Sequence, residues 1–280
     1  MSYKTIVVHV DQSRHASRRI EVAATLAREH GAHLIGAAMA GSPRLTLKDD
    51  AWPMPHTLAA SCFEPLIDAA RGALDRFAEI ASTFQISYEK KLATDQDADA
   101  LALLARFCDL LVISQDDPDE ALPGQVGRLA EYVALNATAP VLIVPLHWPR
   151  PQLASRVLVA WNGTVQAARA VQASMPLLIR ASAVQLVSFR GPAEEYGEVM
   201  LVSEQAQLTD YLARHGVRAR QCVREHDADA GYAIVDLAQQ SDSDLVVMGC
   251  YGHSRFREML LGGASRSLLR GAPVPLLMAR

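Results

Sequence analysis

The stretch Asp244-Leu-Val-Val-Met-Gly-Cys-Tyr-Gly252, followed after nine residues by Gly262-Gly263-Ala264-Ser265, is the most informative part of this chain. Its apolar part, up to Met248, predicts a buried parallel strand, and the pattern from Ser265 to Leu269 predicts a helix. Glycines between a strand and a helix let backbone N–H groups approach an anion, and the unpaired N–H groups that open the helix add partial positive charge. The stretch therefore predicts a phosphate site for a nucleotide. The alternative is a glycine loop that only makes tight turns.

The chain repeats this unit. Three features of the first copy recur 135 positions later: Asp109-Leu-Leu-Val-Ile-Ser114 as Asp244–Gly249, Gly127 as Gly262, and Pro140 as Pro275. Near the start, Ile6–Asp11 precedes Val157–Asn162 by 151 positions, so the first copy carries sixteen extra residues, which we place around Gly41–Phe63. A chain of 280 residues is long enough for two cores. The repeat predicts two tandem domains, 1–145 and 155–280, joined by a proline-containing linker, 146–154.

Strand patterns alternate with helical patterns in each copy, which is typical of βαβ units and an open parallel sheet. The first copy is predicted to contain strand Thr5–Val10, helix Ser13–His30 ended by Gly31, strand His33–Met39, helix Glu64–Thr83 and strand Leu110–Ser114. In such a sheet a ligand lies outside the carboxyl ends of the strands, where the strand order reverses. This rule brings Ala160 and Asn162 to the same crevice as the glycine loop.

The loop, Gly-x2-Gly-x9-Gly followed by small residues, resembles the nucleotide loop of the universal stress protein family. The residues around it, Leu260-Leu261-Gly262 and Ala272-Pro-Val-Pro-Leu-Leu277, occur in the order that the family shows. The resemblance implies two tandem α/β domains with open parallel sheets, Rossmann-like and similar to adenine-nucleotide α-hydrolases. It implies ATP or AMP as the ligand, with the need for magnesium left open, and a regulatory, stress-related role.

The resemblance assigns a role to most of the predicted nucleotide-binding residues. Asn162 matches an Asp that hydrogen-bonds the nucleotide, Phe189 falls at or beside the adenine contact, and the two glycine clusters match the phosphate loop. Arg255 follows the loop and could reach phosphate oxygens. The alternative interpretation of Arg255 is an exposed surface side chain without a role in binding. The predicted set is Ala160, Asn162, Phe189, Met248, Gly249, Gly252, Arg255, Gly262, Gly263, Ala264 and Ser265.

Two departures from the family pattern predict weakened but not lost binding. Asn162 replaces the usual Asp, although its amide can still pair with a ribose hydroxyl. Gly263 replaces the usual Ser or Thr and removes a hydroxyl from the phosphate site, although its backbone N–H remains and Ser265 could supply a hydroxyl.

The first copy shows the opposite pattern. It keeps Asp11 but carries Ser114-Gln-Asp-Asp117 in place of the first glycines, with Asp119 and Glu120 close behind. These carboxylates would repel a triphosphate, and Arg128 is one charge against several. We therefore expect a degenerate first site, a solvated acidic loop rather than a metal site, and one nucleotide per chain.

Composition excludes several classes of function. A net charge of −4 and a pI near 6.1 argue against nucleic acid as a partner. The short apolar runs argue against a membrane span, and the N-terminus shows no signal-peptide core, so we expect a cytoplasmic protein. The cysteines lack metal spacing and are expected to be free thiols, and no resident metal is predicted.

Three functional hypotheses remain open at this point. The first is nucleotide binding without catalysis, since no P-loop, ATP-pyrophosphatase loop or Gly-x-Ser-x-Gly is present. The second is a docking module that binds no nucleotide, and the third is a slow ATPase that uses His253. The resemblance also implies that the last strands, Val141–Val144 and Leu276–Ala279, pair to form an internal pseudo-dimer. A homodimer and an unknown protein partner stay open.

Overall fold

The computed structural model describes residues 2–41, 56–93, 97–120, 129–190, 197–225, 229–250 and 264–280, without the side chains of 56–63, 190 and 197–202. Within these ranges the chain forms two compact units, Ser2–Ala139 and Pro140–Arg280. Strands alternate with helices in both, and the predicted α/β class is confirmed.

The N-terminal unit is a four-stranded parallel sheet with the order β3-β2-β1-β4. Helix α1 packs against α2, and α3 packs against α4. The strands are β1 (Thr5–His9), β2 (His33–Met39), β3 (Tyr88–Ala93) and β4 (Leu110–Ser114). The helices are α1 (Ala16–His30), α2 (His56–Ser82), α3 (Asp97–Leu104), which continues as a 3₁₀ turn over Ala105–Phe107, and α4 (Leu129–Asn136).

The C-terminal unit contains strands in the order β5-β10-β9-β6-β7-β8, in which all neighbours are parallel except β5 and β10. The strands are β5 (Val141–Val144), β6 (Arg156–Ala160), β7 (Ala183–Arg190), β8 (Ala219–Glu225), β9 (Leu245–Gly249) and β10 (Leu276–Ala279). The helices are α5 (Val165–Leu178), α6 (Gly197–Arg214), α7 (Ala230–Gln240) and α8 (Ala264–Gly271).

The last strands of the two copies, β5 and β10, pair as the family resemblance implies. In β5 and β10, Ile143 lies opposite Leu276 and Val141 opposite Met278 in an antiparallel register. Strand β5 belongs to the compact unit that starts at Pro140. Trp148 and Leu153, inside the predicted linker, are also buried, so this segment contributes to packing.

The central strands are buried because they are continuous apolar runs with helices on their faces. Every residue of β4 is buried, as are Leu245–Met248 of β9. Helix α1 ends where the sequence predicts, at Gly31. This residue has φ of +61°, a conformation that glycine adopts without steric cost, and its N–H bonds to the carbonyl of Arg28.

The repeat is visible in a pair of equivalent carboxylates. Asp109 precedes β4 and accepts hydrogen bonds from the backbone N–H groups of Lys4 (2.7 Å) and Thr5 (2.9 Å). Asp244 precedes β9 and accepts the equivalent bonds from Ser155 (3.1 Å) and Arg156 (2.8 Å). The carboxylate thus fixes the start of β1 against the start of β4 in one unit, and the start of β6 against the start of β9 in the other.

Helix α2 begins eight residues earlier than the predicted Glu64, at His56. It contains 27 residues against 18 in α6, so a longer helix accounts for more than half of the extra residues in the first copy. Residues 42–55 lie outside the described part of the chain. Among the helices that the structure describes, none offers an 18-residue stretch apolar enough to cross a lipid bilayer.

Candidate functional site

The carboxyl ends of β6, β7 and β9 meet in the C-terminal unit. Ala160, the last residue of β6, lies in register with Val187 on β7 and with Met248 on β9. Phe189 lies two residues beyond Val187 and is half-buried. The structure therefore brings five of the predicted residues to one sheet edge: Ala160, Asn162, Phe189, Met248 and Gly249.

The remaining predicted residues fall into two groups. Ala264 and Ser265 open helix α8, where Ser265 is 5% exposed. The predicted loop residues Gly252, Arg255, Gly262 and Gly263, and also His253, lie outside the described residues.

The turn after β6 confirms that Asn162 and Asp11 are equivalent. Asn162 Oδ1 accepts hydrogen bonds from the backbone N–H (3.4 Å) and the hydroxyl (2.7 Å) of Thr164. Asp11 Oδ1 accepts the same pair from Ser13, at 3.0 and 2.7 Å. Thr164 in turn caps helix α5 by accepting from the N–H of Ala167. The side-chain oxygen at this position thus holds the turn that leads into the first helix of each unit.

Gly249 lets helix α5 approach strand β9 closely. A Cβ atom at Gly249 would lie 2.5 Å from the backbone nitrogen of Ala167 and 2.7 Å from the carbonyl carbon of Gln166. Both are backbone atoms, so no rotamer change could make room. The glycine that the sequence marks as a phosphate contact therefore also has a packing role.

In the N-terminal unit, Arg19 lines the equivalent crevice. Its side chain is 2% exposed and donates to the His9 carbonyl (2.7 Å), Ser114 Oγ (2.8 Å) and Asp11 Oδ1 (2.8 Å). Its guanidinium thus joins the ends of β1 and β4 through three hydrogen bonds. No sequence motif marks Arg19, and its one signal in the sequence is the alanine at the equivalent position of the second copy, Ala170.

Arg19 also sets the ionisation of its neighbours. Burial, and then the positive charge of Arg19, lower the pKa of His9 to about 4, so this imidazole is neutral at pH 7. Burial alone would raise the pKa of Asp11, but the charge of Arg19, the neighbouring His9 and the hydrogen bonds from Ser13 and Arg19 together outweigh it and hold this pKa below its usual range. Asp11 therefore carries a negative charge that Arg19 already compensates.

Asp116 occupies the N-terminus of helix α4. Its Oδ1 accepts hydrogen bonds from the N–H groups of Leu129 (3.1 Å) and Ala130 (3.4 Å). These two residues precede Ala264 and Ser265, the predicted phosphate contacts of the second copy, by 135 positions. A carboxylate of the chain itself thus takes the donors that a phosphate would use.

The prediction of a solvated acidic loop is wrong for Asp117. Its side chain is 6% exposed and bonds to Arg14 Nη2 (2.6 Å) and His15 Nε2 (2.7 Å). The hydrogen bond from His15 holds the pKa of Asp117 down to about 2. Arg14 also contacts Asp119 (3.2 Å), and its N–H donates to Glu120 (3.0 Å). The acidic run is paired because Arg14 and His15 follow β1 at the same sheet edge.

His15, Asp117 and Glu120 bring one potential metal ligand each to within 4.8 Å of one another. Arg14 already donates to both carboxylates, through its side chain to Asp117 and its backbone to Glu120. A positive group of the chain itself therefore lies where a cation would bind.

The comparisons with known proteins agree with this duplicated fold. A model of the universal stress protein family matches the chain twice, over residues 2–145 and 154–280. A universal stress protein from Synechocystis is 25% identical over 170 residues, 56% of this chain and 52% of that protein, so the chain spans about half the length of this curated relative.

Solved structures show the same fold. A universal stress protein from Archaeoglobus fulgidus superimposes with a TM-score of 0.74 at 15% identity, covering 99% of this chain and 96% of its own. A protein of unknown function from Pseudomonas aeruginosa gives 0.62 at 16% identity, with 99% and 92% covered. Since the family model matches both halves over nearly their whole length, the chain belongs to the universal stress protein family.

Proposed function

We propose that the C-terminal unit binds one adenine nucleotide, ATP or AMP, and that the chain is a cytoplasmic protein in which the bound nucleotide regulates a stress response. The N-terminal unit binds none under this proposal. The assignment follows the family and the different contents of the two crevices.

A single comparison between the copies carries the proposal. Three polar side chains line the first crevice, namely those of His9, Arg19 and Ser114. At the equivalent positions the second copy has Ala160, Ala170 and Gly249. Each change removes polar atoms at the carboxyl edge of the sheet, where ligands of open α/β sheets bind.

The helix that follows each crevice supports the same division. In the first copy Asp116 covers the N-terminus of α4. The residue 135 positions later is Tyr251, which has no carboxylate. The N-terminus of α8 therefore has no acidic cap from this position, and its partial positive charge suits a phosphate.

Calorimetric titration of the nucleotide-stripped full chain with ATP, AMP and GTP, with and without magnesium, tests the proposal. We expect adenine-selective binding with one site per chain. Ala170→Arg, which copies Arg19 into the second crevice, should abolish binding, and so should Gly252→Asp, which copies Asp117. Gln172→Arg adds the same charge at an exposed position of the same helix and should leave binding unchanged.

The other hypotheses predict different results. Two sites per chain would show that the N-terminal crevice also binds a nucleotide. The absence of heat with every nucleotide would favour the docking module. ATP turnover above background that disappears in His253→Ala would favour the slow ATPase.

A further inference from the structure

A carboxylate from helix α6 lies against the turn that follows β6. Gly163 has φ of +70°, and a Cβ atom there would lie 2.5 Å from Glu204 Oε2 and 3.3 Å from Oε1. Both oxygens thus lie close to the backbone of Gly163, the neighbour of Asn162. The glycine is required twice, for its backbone conformation and for the room that the carboxylate occupies.

Glu204 has no internal partner within the part of the chain that the structure describes. It is half-buried, and it makes neither a hydrogen bond nor an ion pair with the described residues. A carboxylate that loses part of its hydration without gaining a partner destabilises the folded protein. A ligand that supplies hydrogen-bond donors to this carboxylate removes that cost. Glu204 is therefore available to a ligand in the crevice.

The two copies place their negative charge at this turn in different ways. The first copy has Asp11 followed by Gln12, and the second has Asn162 followed by Gly163. Asn162 has lost the carboxylate, and its Oδ1 already accepts from Thr164. Gly163 has lost the side chain, and Glu204 occupies the space that it leaves. The negative charge has thus moved from the strand end to the neighbouring helix.

We propose that Glu204 is a nucleotide-specificity residue, whose carboxylate accepts hydrogen bonds from the ribose hydroxyls of the nucleotide bound in the C-terminal unit. This inference rests on the nucleotide binding proposed above. The two oxygens of a carboxylate match two vicinal hydroxyls, and charge-assisted bonds of this kind are the strong ones. A negative group repels phosphate, so Glu204 faces the nucleoside and not the phosphate chain.

The test is calorimetric titration of Glu204→Gln and wild type with AMP, 2′-deoxy-AMP, 3′-deoxy-AMP and inosine monophosphate. We expect the wild-type affinity for AMP to exceed that for at least one of the two deoxy analogues by about tenfold or more. In Glu204→Gln the affinity for AMP should fall to that of this analogue, whose own affinity should barely change. Asp210→Asn removes the same charge from an exposed position of the same helix and should bind all ligands as wild type does.

A charge swap gives a second, independent test. Asn162→Asp/Glu204→Gln returns the carboxylate to the strand end, as in the first copy, and should regain most of the lost affinity for AMP. Asn162→Asp alone places two carboxylates side by side and should not bind AMP more tightly than wild type. Recovery in the double variant also shows that the chain folds without the Glu204 carboxylate.

Several outcomes would overturn the inference. One is that Glu204→Gln binds AMP as tightly as wild type does. Another is that the affinity of Glu204→Gln falls by the same factor for AMP and for both deoxy analogues. Suppose that Glu204→Gln weakens the binding of every ligand with the adenine amine but leaves the affinity for inosine monophosphate unchanged. Glu204 would then contact the base instead of the ribose. If wild type binds no nucleotide, the proposed function fails and this inference fails with it, whereas wild-type binding with an unaffected Glu204→Gln removes this inference alone.

Discussion

Arg19 Nη2 lies 2.8 Å from Asp11 Oδ1 in the N-terminal unit, and the C-terminal unit carries Ala170 and Asn162 at the equivalent positions. The same fold thus carries a charged pair in one copy where the other copy has an alanine and a neutral amide.

Replacing Arg19 should strongly destabilise the N-terminal unit. Arg19→Ala leaves Asp11 and Ser114 without their donor in a largely buried place, and the loss of one partner of a buried ion pair costs about 3 kcal/mol or more. Arg18→Ala removes the same charge from a half-exposed site one residue earlier and should cost about 0.5 kcal/mol. Urea unfolding of both variants checks this, and equal effects would contradict it.

Acid should destabilise the N-terminal unit through His9. Burial and the charge of Arg19 lower its pKa from 6.5 to about 4 in the folded protein, so the unfolded chain takes up the proton at higher pH. The contribution of His9 to the free energy of unfolding is therefore full above pH 6.5. It falls as the pH drops from 6.5 to 4, by about 3 kcal/mol in all. Urea unfolding at stepped pH measures this slope, which should be much smaller in His9→Ala.

Asp116 should contribute as a helix cap. Asp116→Ala leaves the N–H groups of Leu129 and Ala130 without their acceptor and should cost about 1 kcal/mol. Asp119→Ala, at an 81% exposed side chain in the same acidic run, should change the stability by less than about 0.5 kcal/mol. Thermal unfolding of the pair distinguishes a cap from a general effect of charge, which would give both variants the same shift.

Two glycine-to-alanine substitutions should have opposite signs. Gly249→Ala forces the backbone of Gln166 and Ala167 away from β9 and should cost about 1–3 kcal/mol. A Cβ at Gly72, inside α2, meets no atom within 4 Å, so Gly72→Ala should stabilise the protein by about 0.5–1 kcal/mol. Chemical denaturation of both tests this, and a neutral Gly249→Ala would show that α5 can shift freely.

Local patterns were sufficient for most of the fold. The bounds of β2 and β4 agree with the sequence prediction to the residue, because an apolar run between polar ends is a local signal. The predicted start of α2, Glu64, was wrong. Proline is favoured in the first turn of a helix, but Pro65 lies inside this one. The prediction that Asn162 matches Asp11 rested on spacing, and the shared turn geometry supports it.

The contents of the crevices were not visible in the sequence. An acidic run such as Asp116–Glu120 looks solvated because its partners, Arg14 and His15, lie about a hundred positions away. Glu204 gave no motif either, because its contact with Gly163 joins a helix to a turn that precedes it by some forty positions.

The duplication and the alternation of strands and helices could be read from the sequence, because they depend on apolar period and on motif spacing within short windows, and the same motifs carried the resemblance to the universal stress protein family. Which side chains line the N-terminal crevice and how they pair became clear only from the tertiary structure. The reason is that Arg19 and Ser114, 95 positions apart, become neighbours only when β1 and β4 pair. A buried guanidinium takes whatever acceptors the strand order brings to it, and local sequence does not specify them.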